Sequence, residues 1–406
     1  MVRFNPFDVG DMADPYPAYA QLRRDCPVHE VGPGSYYVSR HETCSHVLFD
    51  RDSFSSRGGL TRRPAAEDVV DGVTTVNATD PPVHTKLRKL LRAALATRLV
   101  AANEEFVRDC CHQFIDEFID NGEADLVRDL AAKLPARVIL KMIGVPDSDY
   151  AKVRGWTEEL EHAVDSEHGQ SFSDFYTGKA YHPAAEAFFG YVHDLIGERR
   201  QLADPPQDLV TRMVTFRDED GGTFSDQAIV VQLTFLLIAG NETTSDLISN
   251  LLLTLAGDPE LYQRLRADRS LVPAAVEESL RHDSPVQLIM RTARADTTID
   301  GTVVPAGSRI YTGLGAANRD EAAYPTPDRF DLDRDRTVSH LAFGIGSHLC
   351  IGAPLARMET KHAINAILDR IQSLHRVPGY TYQRVDYFAF MAPKRLPVTF
   401  TPAPRP

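Results

Sequence analysis

Apolar positions recur at helical spacing over most of this 406-residue chain. From Pro82 to about Arg200 the 3.6-residue period dominates, with breaks near Val145-Pro146-Asp147 and in the polar stretch 165–182. Residues 225–256 predict one long helix, roughly 48 Å at 1.5 Å per residue. Thr223 and Asp226 supply its start signal, and Gly257-Asp258-Pro259 stops it. Further helices are predicted over 260–282 and from just after Cys350 to about Ile371. Strand-like pieces are short: Tyr36 to Ser39, Ile289 to Ala293, Thr298 to Ile299, Thr302 to Val304 and Ser308 to Tyr311, with the last strands near 381–400. Residues 5–19, rich in Pro and Asp, read as a surface wrap. Residues 55–78 and 165–182 read as long loops of the kind that border a pocket. The expected fold is mainly α with a small β region. It is read as a single domain over 1–406, β-rich near 30–60, 289–311 and 381–400.

Composition narrows the function. Apolar residues make up 43% of the chain, enough for a substantial core, and the net charge of −13 argues against nucleic acid as a partner. Five cysteines show no paired metal spacing, and the odd total with Cys110-Cys111 adjacent argues for a reducing compartment. Met1 to Pro15 lacks the apolar core of a signal peptide or anchor. The longest apolar stretch, Ala228 to Gly240, is interrupted by Gln232 and Thr234 and is too short to span a bilayer. A soluble, cytoplasmic protein is expected.

The most informative residue is Cys350, in Phe343-Gly344-Ile345-Gly346-Ser347-His348-Leu349-Cys350-Ile351-Gly352. A lone cysteine is usually a small buried hydrophobe. This one follows a glycine-punctuated loop and precedes a helix-forming run, where the helix dipole and free N–H groups stabilise a thiolate. Those conditions suit an axial ligand of haem iron. The pattern F-G-x-G-x-H-x-C-x-G resembles the haem-ligand loop of the cytochrome P450 family, and other motifs extend the resemblance over essentially the whole chain.

Ala239-Gly240-Asn241-Glu242-Thr243-Thr244, on the long helix, resembles the family's oxygen-activating A-G-x-[D/E]-T. The resemblance implies that Ala239 and Gly240 leave room for dioxygen, that Thr243 hydrogen-bonds the bound oxygen and that Glu242 feeds protons towards it. Read alone, the segment is a helix kink with a back-bonded hydroxyl. Glu278-Ser279-Leu280-Arg281 matches E-x-x-R, and Pro327-Asp328-Arg329-Phe330 matches P-x-R-F with aspartate where glutamate is commoner. Glu278, Arg281 and Arg329 are thus expected to support the haem loop, with no chemical role. His84, Arg88, Arg291 and His348 match propionate-binding positions of soluble bacterial relatives, and arginine suits carboxylate binding. Each could instead be an ordinary solvated cation. With Ala239, Gly240, Phe343, Cys350 and Gly352 they complete the expected binding set for haem b, with Cys350 as the iron ligand.

The implied activity is hydroxylation: one oxygen atom from O2 enters a C–H bond of an apolar small molecule, of steroid, terpenoid or fatty-acid-like type. By position, Leu236, Leu237, Ala239, Leu288, Ile289, Phe388, Phe390 and Met391 would line the pocket, although each could be ordinary core. No flavin or iron–sulfur motif is present, so electrons must come from outside. Lys86, Lys89 and Arg92 beside Arg88, on an acid-free helical segment, suit an acidic ferredoxin, supplied through ferredoxin reductase from NAD(P)H. The alternatives are a peroxide-driven haem-thiolate hydroxylase, which the intact Glu242-Thr243 pair argues against, and a non-catalytic haem-binding protein.

Overall fold

The computed structural model describes residues 3–57, 74–164 and 181–404, and the chain divides into two compact units. The first comprises Met1–Ser55, Glu105–Pro135 and Glu242–Pro406; the second comprises Ser56–Glu104 and Ala136–Asn241. As expected, the protein is mainly helical with a small β region.

Among the described residues, all three sheets belong to the first unit. The largest combines β1 (Val28–Gly32), β2 (Ser35–Val38), β3 (Phe54–Ser55), β5 (Leu288–Ala293) and β8 (Arg309–Gly313), in the order β1-β2-β8-β5-β3. The β2–β8 pair is parallel, with Tyr37 opposite Tyr311, and the other pairs are antiparallel. A second sheet joins β4 (Glu123–Asp125), β10 (Pro397–Pro402) and β9 (Ile371–Arg376), while β6 (Thr297–Ile299) and β7 (Thr302–Val304) form a hairpin. Val38, Val47, Phe54, Ile310, Leu314 and Leu341 form a buried cluster on the largest sheet, against which Ile289 and Ile345 pack. Ile345 lies within the cysteine loop, so the apolar core directly backs that loop.

Among the described residues, the second unit is helical. Val83–Ala94, Tyr150–Val164, Pro183–Gln201 and Leu209–Thr215 are its principal helices. Side chains cap two of them: His182 accepts from Ala184 N–H at 3.3 Å and Asp208 from Thr211 N–H at 2.7 Å. The break expected near 145–147 falls where Gly144 turns to φ +103 after the helix Lys133–Ile143.

The long helix runs without interruption from Asp226 to Gly257 and contributes to both units. Gln232, an intruder in its apolar run, is fully buried and donates to Thr74 O at 2.8 Å while accepting from Val76 N–H at 3.2 Å. No helix among the described residues is long and apolar enough to cross a membrane.

Several expectations change. Residues 5–19 do more than wrap the surface: Val9–Ala13 and Tyr16–Asp25 are helical, and Met12 and Tyr19 are buried. The helix expected over 260–282 is two, Pro259–Ala267 and Val272–His282. Asp268 interrupts it by taking the Ser270 N–H at 3.0 Å, and Pro273 cannot donate in a continuing ladder. The region 381–396 carries only isolated bridges, Val286↔Phe390 and Arg384↔Pro393, so the final strand is confined to β10. Residues 58–73 and 165–180, most of the two expected loops, lie outside the described residues.

Candidate active site

The cysteine loop takes its shape from its glycines. Gly344 and Gly346 adopt φ +66 and +70, which side-chain-bearing residues rarely do. Gly346–His348 make one 3-10 turn, and the helix Ala353–Arg370 follows, with Pro354 in its first turn. Leu349 N–H donates to Gly346 O at 3.2 Å and Cys350 N–H to Phe343 O at 2.9 Å, closing the loop on itself. Cys350 is exposed, whereas Cys44, Cys110 and Cys111 are buried. A Cβ on Gly352 would stand 3.8 Å from Cys350 Sγ, and one on Gly344 would stand 3.8 Å from Ile289 Cδ1. The sulfur therefore lies beside Gly352, and strand β5 lies beside the loop.

The first unit thus brings Cys350, His348 and Ile289 to one place, with Arg291 two residues along β5. Arg291 is buried and donates to Met290 O at 2.8 Å, and His348 is half-buried. The segment holding Phe388, Phe390 and Met391 is tied to the start of β5. Gln287 N–H donates to Ala389 O at 2.7 Å and Met391 N–H to Pro285 O at 2.8 Å. Asn250 of the long helix holds Met391 O at 2.8 Å, a contact that no motif signalled. Leu288 is fully buried opposite Gly313, a core position within the sheet.

On the long helix, Glu242 and Thr243 are half-buried and belong to the first unit; Leu236, Leu237, Ala239 and Gly240 belong to the second. Leu236 and Leu237 are buried, while a Cβ on Gly240 would meet no described atom within 4 Å beyond the helix's own backbone. His84 and Arg88 share a face of Val83–Ala94 in the second unit, the histidine buried and the arginine half-buried. Lys86, Lys89 and Arg92 form its exposed face, and the helix itself carries no acidic residue, as expected. Glu219, distant in sequence, takes Lys89 Nζ at 2.8 Å and raises its pKa.

The expected support triad is corrected too. Arg281 grips Glu278 with two bonds, 2.7 and 2.9 Å, and donates to the carbonyls of Asn318, Pro327 and Arg329. The third member is Arg334, whose Nε reaches Glu278 at 3.0 and 3.2 Å. Arg329 has an exposed side chain and contributes only its carbonyl. The chain turns after Phe330, and Asp331 N–H also donates to Glu278 at 2.9 Å, so the next arginine faces inward. Burial raises the Glu278 pKa, but the Arg281 and Arg334 guanidiniums and the Asp331 N–H outweigh it and keep the carboxylate ionised.

These residues fit a thiolate-bound haem. In the first unit the sulfur is accessible and the loop that carries it is shaped by glycine, with buried Arg291 and half-buried His348 as nearby cations.

Comparison with known proteins agrees. The cytochrome P450 family model matches residues 30–374. The chain is 36% identical to the cytochrome P450 monooxygenase PikC of Streptomyces venezuelae, covering 89% of this chain and 85% of that one. Cytochrome P450 CYP109Q5 from Chondromyces apiculatus superposes with a TM-score of 0.87 at 32% identity, over 100% of both chains. CYP109E1 from Bacillus megaterium, solved in complex with corticosterone, gives a TM-score of 0.83 at 28% identity, over 96% of this chain and 99% of that one. The chain therefore belongs to the cytochrome P450 family of monooxygenases, which carry haem b on a cysteine thiolate.

Proposed function

We propose that this monooxygenase uses O2 to hydroxylate a bulky apolar molecule of steroid-like character, with electrons delivered by a ferredoxin and its NAD(P)H-dependent reductase. Cys350 would ligate the iron, and His84, Arg88, Arg291 and His348 would hold the propionates. When bound, the haem supplies the iron at which dioxygen is reduced and split. The chain's own residues supply protons and shape. The Glu242 carboxyl, half-buried and therefore in exchange with solvent, would supply protons through Thr243, whose hydroxyl would donate its own proton onward while Oγ1 takes one from the Glu242 side.

The observation carrying this reading is the acid–alcohol pair Glu242-Thr243, two and three residues after Gly240 on an uninterrupted helix. The substrate class draws support from the corticosterone and testosterone complexes of CYP109E1, and from the apolar side chains of Ile289, Phe388, Phe390 and Met391. The electron donor draws support from exposed Lys86 and Arg92, although Lys89 is engaged by Glu219.

The test is an absorption spectrum of the reduced, carbon-monoxide-bound protein, followed by titration with a steroid series. A far-red-shifted Soret band in the wild type, lost in Cys350→His, is expected, together with a low-to-high-spin shift on steroid addition. A red-shifted band surviving in Cys350→His would overturn the ligand assignment. Spin shifts only with other apolar classes would overturn the steroid reading.

A further inference from the structure

Glu277 precedes the E-x-x-R glutamate and turns its carboxylate to a different segment. Its Oε1 accepts from Arg357 Nε at 2.6 Å and its Oε2 from the other arm of the same guanidinium at 2.9 Å. Oε2 also meets His340 Nε2 at 3.3 Å. The histidine tautomer follows from its other nitrogen: Ala342 N–H donates to His340 Nδ1 at 3.2 Å, so the ring proton sits on Nε2 and points at Glu277. Burial alone would raise the Glu277 pKa, but the bonds from His340 and Arg357 prevail and hold it near 2.

The two partners flank the thiolate loop. His340 lies ten residues before Cys350 and Arg357 seven after it. The Arg357 guanidinium also lies over the Phe343 ring, 4.6 Å from its centroid, with the His340 ring 5.9 Å away on the same phenyl. Phe343 is the residue whose carbonyl takes the Cys350 N–H at 2.9 Å. One carboxylate thus closes the base of the loop, and the cation it holds lies on the residue to which the cysteine backbone is bonded.

We propose that Glu277 is a positioning residue for Cys350, pinning both ends of the segment 340–357 so that the sulfur keeps the placement needed for iron ligation. This rests on Cys350 being the haem ligand. A bidentate carboxylate–guanidinium pair fixes orientation as well as distance, so loss of its charge should free the loop before it unfolds the domain.

The test follows the carbon-monoxide-bound, reduced holoenzyme in mild urea, below the concentration at which far-UV circular dichroism changes. The readout is the rate at which the red-shifted Soret band converts to an ordinary one. Glu277→Gln is expected to convert about tenfold faster than wild type, the scale of one lost charge-assisted hydrogen bond. Arg357→Lys, which keeps the charge but loses the fork and the flat stacking surface, is expected to accelerate conversion as well. The double variant Glu277→Gln/Arg357→Lys should be no faster than the faster single one. Arg264→Gln, which breaks the exposed Arg264–Asp333 bridge in the same unit, should match wild type. Wild-type rates in both Glu277→Gln and Arg357→Lys would overturn the proposal, as would equal acceleration by Arg264→Gln. Absence of the red-shifted band in wild type would instead sink the ligand assignment beneath it, so the two failures are separable.

Discussion

Replacing Glu359 with glutamine should stabilise the protein, and by more at alkaline than at acid pH. Glu359 lies on the helix Ala353–Arg370, is 2% exposed, and its Oε2 has no hydrogen-bond partner among the described residues. Burial disfavours its charged form and pushes its pKa from 4.5 to about 8. The folded chain therefore holds a proton that the unfolded chain releases above pH 4.5. Between 4.5 and 8 the native state binds more protons, so stability falls as pH rises and levels off above 8. At about 1.4 kcal/mol per pH unit, most of the window from pH 5 to 8 counts, and the loss reaches about 3–4 kcal/mol. Glutamine does not titrate, so Glu359→Gln should lack this slope. The assay is urea unfolding of both holoenzymes at pH 5 and pH 8, followed by far-UV circular dichroism. The stability gap between variant and wild type should widen by that amount, because every other titrating group cancels in the difference. A gap that changes by less than about 1 kcal/mol would refute the argument and place an unseen donor on Oε2.

The triad correction separates two arginines: Arg334→Ala removes one of the two guanidiniums on buried Glu278, leaves Arg281 in place, and should cost about 1.5–3 kcal/mol by thermal or urea unfolding, with loss of bound haem by absorbance, whereas exposed Arg329→Ala should stay within about 0.5 kcal/mol. In the second unit, Asp208 both caps Leu209–Thr215 and pairs with buried Arg199 at 2.9 Å, so Asp208→Ala should cost about 3–5 kcal/mol in the same assay. Thr243→Ala should leave the carbon-monoxide spectrum unchanged while diverting reductant into hydrogen peroxide at the expense of product, measured as peroxide formed per NAD(P)H consumed.

What the sequence made legible was local. Glycine spacing around Cys350, the stop at Gly257-Asp258-Pro259 and the strand-like pieces within 289–311 each act within a few residues, and each appears in the structure near its expected place. What stayed hidden depends on distant partners. Gln232 looks like a flaw in an apolar helix until Thr74 and Val76 arrive to use its amide. Lys89 looks unopposed until Glu219 folds back against it. Arg329 has the right motif around it, yet the chain direction after Phe330 hands its place to Arg334. Motif spacing reports which residue types are needed, whereas side-chain direction is decided by the turn that follows.

The same logic explains why two adjacent glutamates stand behind one cysteine. Glu278 faces Arg281, Arg334 and the Asp331 N–H; Glu277 faces His340 and Arg357 at the base of the loop. Neighbouring residues on a helix point about 100° apart, so a single turn can address two segments at once. Ion pairs, buried like those of Glu278 or half-buried like that of Glu277, contribute little net stability compared with apolar packing of equal volume. Ile289 and Ile345 already provide such packing from the core side. Apolar contacts, however, tolerate sliding, and a metal ligand does not tolerate displacement of even about 1 Å. Bidentate charge pairs are directional where apolar contacts are not. The polar network behind Cys350 is therefore best understood as fixing where the sulfur stands, while the apolar core provides the energy that keeps the loop folded.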